Sequence, residues 1–316
     1  MKDIFLKINE AILEANNILI ATHEKPDGDA CGSALALALY LQHLGKNFQI
    51  FSNDKPPDFL FFLPLIDQMT ASMDVFDKKW DLVICVDAAA TDYAHLPDDF
   101  VIRSTIINFD HHASNINYGQ LAVVDAGASS TAEIVFDFFK AINYPIDRKL
   151  ASCLLTGILT DTGGFSHPNT TIRTMAIASE LMKKGSKIHQ IFNHVVHNKS
   201  LSGLRLWGMV LSRIQANSKL DLAYTYVTAD DLINYNVPEE EIDGLVNFLN
   251  VISDYSVVML FKIDRGFTKA SIRTKRDDID VSQLALAFGG GGHQKAAGFS
   301  LPWRLEEING KLVVKE

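Results

Sequence analysis

The sequence predicts an α/β protein in two parts: an N-terminal, mostly parallel sheet flanked by helices, and a smaller C-terminal α+β unit. Three observations predict it. Over the first two-thirds, short apolar runs alternate with stretches at helical spacing, as buried strands do when crossover helices join them. From about Asn217 that texture gives way to alternating strands around a hairpin. Finally, 316 residues with 47% hydrophobic content exceed what one ordinary core accommodates and suit two domains.

The elements follow in order. Residues 17–23 (NILIATH) read as a buried strand, and 30–45 as a helix ending at Gly45. Further strands are expected at 48–52, 81–87, 105–110 and 121–125. Ser130-Thr131-Ala132-Glu133 carries a capping-box pattern and opens the next helix. The very apolar stretch 151–162 is a helix or helix end, and helical patterns run from about Ile172 to Ile214. Residues 221–228 alternate like a strand. Stretches 257–264 and 268–275 form a hairpin around Asp264-Arg265-Gly266, and 283–288 form a short helix before GGGGHQKAAGFSL. The pattern breaks at HNKSLSG. The expected division is a first domain at 1–195, a helical linker at 196–214 and a second domain at 215–316.

Composition narrows the function. No apolar stretch reaches the eighteen residues of a spanning helix, and the N-terminus lacks the basic start and apolar run of a secretory signal. The expectation is a cytoplasmic protein with no membrane partner. Cys31, Cys85 and Cys153 sit in apolar runs without C-x-x-C spacing, so they read as buried small hydrophobes, not as disulfides or zinc ligands. The net charge of −9 weighs against binding long nucleic acid, which requires many phosphate-neutralising Lys and Arg. A phosphate-bearing partner would be short and gripped at a few local positive spots.

Four segments carry candidate chemistry. His23-Glu-Lys-Pro-Asp27-Gly-Asp29 lies between a strand and a helix, where ligands bind in open α/β sheets. Taken alone, Asp29 reads equally as a helix N-cap beside a surface turn. Asp87 ends the strand DLVICVD, and alone it also reads as a cap. Asp110-His111-His112 ends another strand; imidazole is a common metal ligand that a neighbouring carboxylate can orient, although a surface His pair is the plainer alternative. Asp161 follows the apolar run LLTGILT at a helix end, where a negative charge is unfavourable unless a cation joins it. Together Asp27, Asp29, Asp87 and Asp161 would bring four negative charges to one edge of the sheet. Such a group stays ionised only if cations neutralise it, and two divalent ions would balance it. Carboxylate and imidazole without thiolate suit Mn²⁺, with Mg²⁺, Co²⁺ or zinc as alternatives.

The order H-x-x-x-D-x-D, D, D-H-H, D resembles the DHH phosphoesterase superfamily. The run Gly289-Gly290-Gly291-Gly292-His293-Gln294-Lys295-Ala296-Ala297-Gly298 looks like its DHHA1 domain. The resemblance covers essentially the whole chain and is nearest to the NrnA-like group of nanoRNases and 3′-phosphoadenosine 5′-phosphate (pAp) phosphatases. It implies a catalytic cleft between the two domains. One metal would be held by His23, Asp27 and Asp87, the second by Asp29, Asp87, His111 and Asp161. Asp110 would orient the motif's histidines, and His112 would contact the scissile phosphate or assist the leaving group. Arg273, Asn115, Gly290, Gly291, Gly292, His293 and Lys295 would contact substrate. Many relatives read T-D-T-G-R-F where this chain has Thr160-Asp161-Thr162-Gly163-Gly164-Phe165, so a basic residue at 164 is absent.

The implied reaction is metal-assisted hydrolysis of short oligoribonucleotides, or of pAp to AMP. A phosphodiesterase for linear dinucleotides such as pApA shares the same catalytic residues. A RecJ-like exonuclease would call for an added domain or basic tract, and a family II pyrophosphatase for a different C-terminal domain. A nucleotide-binding regulator without turnover would show a broken ligand set, and none of these positions is broken. A homodimer is compatible with the family, though no heptad or exposed stripe in the sequence requires one.

Overall fold

The computed structural model describes residues 1–195, 199–264, 266–308 and 311–315. The chain divides into two compact units, Met1–Asn198 and Lys199–Glu316. Residues 196–198 of the expected linker and Arg265 of the expected hairpin turn lie outside the described residues.

The first unit runs α1 (Lys2–Glu14), β1 (Asn17–Ala21), α2 (Gly28–His43), β2 (Asn47–Phe51), β3 (Met69–Thr70), β4 (Leu82–Val86), α3 (Asp98–Arg103), β5 (Ile106–Asp110), β6 (Leu121–Val124), α4 (Thr131–Ala141), α5 (Arg148–Asp161), α6 (Ile172–Lys183) and α7 (Ile188–Val195). Its six strands lie in the order β3-β2-β1-β4-β5-β6, every pair parallel. The sequence did not reveal β3, because two residues carry no period. Side chains alternate between two buried faces. Ile18, Ile20, Leu82, Ile84 and Val86 face a core shared with α1, α2, α4 and α5; Leu19, Ala21, Val83 and Cys85 face a second core. Burial on both sides is why these strands read as unbroken apolar runs. The second face has a thinner cover than expected. Among the described residues, α3 is its helix, with Val75 and Phe76 of a 3₁₀ turn packing beside Phe100. All three cysteines are buried and unbridged.

One seam in this core bears on function. At Gly32 a Cβ would lie 2.5 Å from the Cys153 carbonyl oxygen; at Gly157 it would lie 2.6 Å from Asp29 Oδ1 and 2.7 Å from Ala132 Cβ. Helices α2 and α5 therefore approach as closely as backbone permits, and this contact brings Asp29 beside the end of α5. Alanine at 157 gains roughly 1 kcal/mol of helix propensity but overpacks a filled site, at about 1–3 kcal/mol. Gly157→Ala is expected to lower the melting temperature by a few degrees in a thermal denaturation scan. An unchanged or higher value would show that the seam relaxes.

The second unit runs α8 (Leu201–Ser212), β7 (Gln215–Asn217), β8 (Leu222–Thr228), α9 (Ala229–Tyr235), α10 (Leu245–Ile252), β9 (Val257–Ile263), β10 (Thr268–Thr274), α11 (Val281–Ala287), β11 (Gly291–His293), β12 (Ala296–Leu301), β13 (Arg304–Ile308) and β14 (Lys311–Lys315). Six strands form a sheet in the order β11-β12-β10-β9-β8-β7. It is antiparallel except for the parallel pair β8–β9. The hairpin joins β9 to β10, with Ile263 opposite Thr268. Helix α8, in the stretch read as linker, places Leu206 and Val210 in this unit's core beside Leu245 and Leu249 of α10. Among the described residues, no helix is long and apolar enough to cross a membrane.

Candidate metal centre

Strand β1 is the switch point of the parallel sheet: the chain continues to β2 on one side and returns as β4 on the other. Ligands bind at the carboxyl ends of such strands. His23 lies two residues beyond β1, Asp87 directly follows β4, and Asp110 ends β5.

Three sets of donor atoms come within 4.8 Å of one another: His23, Asp27 and Asp87; Asp29, His111 and Asp161; and Asp87, His111 and His112. Asp87 belongs to the first and third sets, and His111 links the third to the second. Asp87 Oδ2 lies 3.5 Å from His23 Nε2, while its Oδ1 lies 3.7 Å from His111 Nε2 and 3.6 Å from His112 Nδ1. His111 Nε2 is also 3.5 Å from Asp161 Oδ2. Asp87 has φ of 55°, a left-handed conformation that Asp and Asn tolerate better than most residues.

The surroundings fix each group. His23 Nδ1 donates to the Glu24 carbonyl at 2.6 Å, which turns Nε2 toward Asp87, the arrangement usual for a metal-binding histidine. Asp27 caps α2: its Oδ1 accepts from the N–H groups of Asp29 (2.9 Å) and Ala30 (3.1 Å). The cap is thus Asp27, not Asp29. Asp29 lies inside the first turn and reaches across to α4, where Thr131 N–H donates to Oδ2 at 2.6 Å and Ala132 N–H to Oδ1 at 2.9 Å. Asp110 is fully buried. Its Oδ1 accepts from His111 N–H and from His112 Nδ1 at 2.7 Å, so it orients the second histidine's ring.

Asn115, expected to contact phosphate, turns its amide inward here. Its Nδ2 faces Asp110 Oδ2 at 2.6 Å and Asn108 Oδ1 at 2.9 Å, and its Oδ1 accepts from Asn117 N–H. The amide is occupied inside the protein, where it holds Asp110. Gly164 has φ of 66°, and a Cβ there would sit 2.8 Å from the Phe192 ring. The absent basic residue thus coincides with a left-handed position where any side chain would be strained and would require the Phe192 ring to shift.

Charge repulsion is visible in the carboxyls. Burial, then Asp87, Asp161 and Asp27, push Asp29 well above the usual carboxylate range; burial, Asp27 and Asp87 do the same to Asp161. Desolvation and the Asp87 charge raise Asp27 as well, but less, because the His23 charge and the N–H groups of Ala30 and Asp29 work against them and the residue is open to water. Burial opposes the Asp87 charge as well, yet His23, His111 and His112 outweigh it and hold Asp87 well below that range. Burial disfavours the charged rings of His23 and His112. The hydrogen bond and charge of Asp87 for the first, and those of Asp110 with Asp87 for the second, overcome it and raise each to about 9. The mixed carboxylate and imidazole donors, without thiolate, fit hard or borderline divalent ions.

The remaining candidate residues belong to the second unit. Arg273 stands on β10 opposite Ala296 of β12, which in turn pairs with His293 of β11. Arg273 Nε donates to Asn247 Oδ1 at 2.7 Å and its NH1 to the Ile272 carbonyl at 2.9 Å. No carboxylate among the described residues pairs with it, and burial pulls its pKa down. At Gly290 a Cβ would lie 2.1 Å from the Gly298 carbonyl oxygen, so the strands require glycine there. At Gly291 it would meet nothing within 4 Å, leaving that backbone open to approach. Gly292 again closes on the Ala296 carbonyl. The Lys295 ammonium is 2.8 Å from Asp277 Oδ1. Sequence reading missed Thr131, Ala132 and Asn247. Only the capping-box signal at 130–133 hinted at the first two, and it does not name their partner.

Comparison with known proteins agrees with this geometry. Residues 17–158 match the model of the DHH family, N-terminal domain, and residues 220–312 that of the DHHA1 domain. The bifunctional oligoribonuclease and PAP phosphatase NrnA of Thermus thermophilus is 34% identical over 286 residues, covering 90% of this chain and 84% of that protein. Its namesake in Bacillus subtilis is 28% identical, covering 90% of each chain. The crystal structure of an exopolyphosphatase-related protein from Bacteroides fragilis superposes with a TM-score of 0.89 at 27% identity, over 98% of this chain and 92% of that one. The chain therefore belongs to the DHH family of divalent-metal-dependent phosphoesterases, in its NrnA-like group, with a DHHA1 domain as its second unit.

Proposed function

We propose that the chain is a phosphoric ester hydrolase that cuts short oligoribonucleotides to mononucleotides and converts pAp to AMP, using two divalent ions, Mn²⁺ before Mg²⁺ or Co²⁺. The observation that carries this reading is the pair of donor sets His23, Asp27, Asp87 and Asp29, His111, Asp161, with Asp87 Oδ1 3.7 Å from His111 Nε2 between them. His23, Asp27 and Asp87 would hold one ion, and Asp29, Asp87, His111 and Asp161 the other. When bound, such ions supply an activated water and Lewis acidity at the phosphoryl oxygens. Asp110 holds the His112 ring by Nδ1, so that its other nitrogen can serve the phosphate or the leaving oxygen. Arg273, a half-buried cation with no carboxylate partner among the described residues, binds an anionic group of the substrate, with the open backbone at Gly291 and His293 beside it. The names of the two NrnA relatives support this choice of substrates.

The experiment compares pAp, pApA and a pentaribonucleotide under one Mn²⁺ condition. AMP and mononucleotides are expected, with no release in excess chelator and recovery on adding Mn²⁺. Equal turnover in chelator would refute the reading, and a strong preference for pApA would move the assignment to linear dinucleotides. The ions should also stabilise the fold. Saturation at a hundred times Kd contributes about 2.7 kcal/mol, roughly 4 °C for a chain of 316 residues. Melting curves with and without Mn²⁺ read this directly.

A further inference from the structure

Thr131 is the first residue of α4 and is fully buried. It touches both carboxylates around which the two donor sets are built. Its N–H donates to Asp29 Oδ2 at 2.6 Å, and its hydroxyl donates to Asp87 Oδ1 at 3.0 Å. Asp29 comes from the first turn of α2 and Asp87 from the end of β4, and this one residue ties them together. Asp87 needs such a tie. Its φ of 55° fixes the backbone, but the plane of the carboxylate is free to rotate until something holds it. With Oδ1 held by Thr131, Oδ2 faces His23.

Thr131 is itself held from behind. Ser130 caps α4, accepting from Glu133 N–H at 3.2 Å. The return arm of the expected capping box goes elsewhere. Glu133 Oε2 accepts from the Ser129 hydroxyl at 2.6 Å and from Ser129 N–H, not from Ser130. The same oxygen accepts from Thr174 at 3.2 Å, and Glu133 Oε1 meets Arg173 at 3.3 Å. Asn169 Nδ2 bonds the Ser129 carbonyl at 2.9 Å and that of Asp161 at 3.3 Å. The segment before α4 is thus fastened to α6 and to the end of α5, which carries Asp161.

We infer that Thr131 is a positioning residue: its hydroxyl sets the rotation of the shared Asp87 carboxylate, while its N–H sets Asp29 at a fixed relation to it. The inference rests on the reading of Asp87 as the ligand common to both ions. Groups that orient metal ligands typically change affinity 10–100-fold when removed.

Thr131→Val keeps the shape, the branching and the N–H, and deletes only the hydroxyl; Thr131→Ser keeps the hydroxyl. Calorimetric titration of each metal-free protein with Mn²⁺ alone is expected to show affinity about 10–100-fold weaker for Thr131→Val and near the parent's for Thr131→Ser. Turnover of pAp should then fall in kcat and recover in part with excess Mn²⁺, with KM little changed. Parent-like Mn²⁺ affinity in Thr131→Val, beside lost affinity in Asp87→Ala, would overturn the inference and leave the metal reading standing. Parent-like affinity in Asp87→Ala would overturn both. Equal losses in the Val and Ser proteins, together with lowered metal-free melting temperatures, would make Thr131 structural only and also overturn it.

Discussion

Asp87→Ala is expected to lower kcat on short oligoribonucleotides and on pAp by about a thousandfold or more, since losing the shared carboxylate removes several kcal/mol of charge stabilisation at about 1.4 kcal/mol per tenfold. Asp87 faces His23 with one oxygen and His111 and His112 with the other, so its loss disconnects both donor sets. Alanine has a second effect, because the position is left-handed and a β-carbon without a local hydrogen bond costs about 1–2 kcal/mol there. Asp87→Asn separates the two. Asparagine tolerates that conformation and can still accept from Thr131, but it carries no charge. It should lower the melting temperature of the metal-free protein at neutral pH, because His23, His111 and His112 lose the Asp87 charge that they hold ionised, a loss that outweighs the relief to Asp29 and Asp161. Its kcat should still fall by about a hundredfold or more. Full activity in Asp87→Asn would show that shape and not charge matters at this position.

The sequence allowed this much because a parallel sheet delivers its strand ends to one edge. Once 17–23, 81–87 and 105–110 read as strands, His23, Asp87 and Asp110 had to share that edge, whatever the details of packing. Charge did the rest, since four carboxylates together demand cations. The details that failed to show are contacts between distant segments. Asp29 accepts from residues more than a hundred positions away, and no local pattern records that. Gly28 lies outside the helix expected at 30–45, yet it opens α2, and a Cβ there would strike the Thr160 side chain. Asn115 carries a polar amide suited to phosphate, and only the fold shows it turned inward to Asp110. The thin cover over the second sheet face was unreadable for another reason: 3₁₀ turns leave no long period.

Arg273→Ala is expected to raise KM for short substrates by about 10–150-fold, the equivalent of 1.5–3 kcal/mol for hydrogen bonds to a charged group, with a smaller change in kcat. A guanidinium is costly to bury without a carboxylate, and burial already depresses its pKa. Asn247 and the Ile272 carbonyl take two of its donors through Nε and NH1. They hold the fork in place without neutralising it, which leaves the charge for an anion. Arg273→Lys tests the fork against the charge. Lysine keeps the charge but not the planar pair of donors or the Nε bond to Asn247, so it should recover only part of the loss. Asn247→Ala leaves the arginine intact but unheld and should raise KM to a smaller extent. Mn²⁺ affinity should be unchanged in all three, because the donor sets lie wholly in the first unit. If Arg273→Ala weakened Mn²⁺ binding and left KM unchanged, Arg273 would not be the residue that grips the substrate. If KM alone rose, and rose more for substrates with a terminal phosphate than for those without, the second unit would be the part that selects short phosphorylated ends.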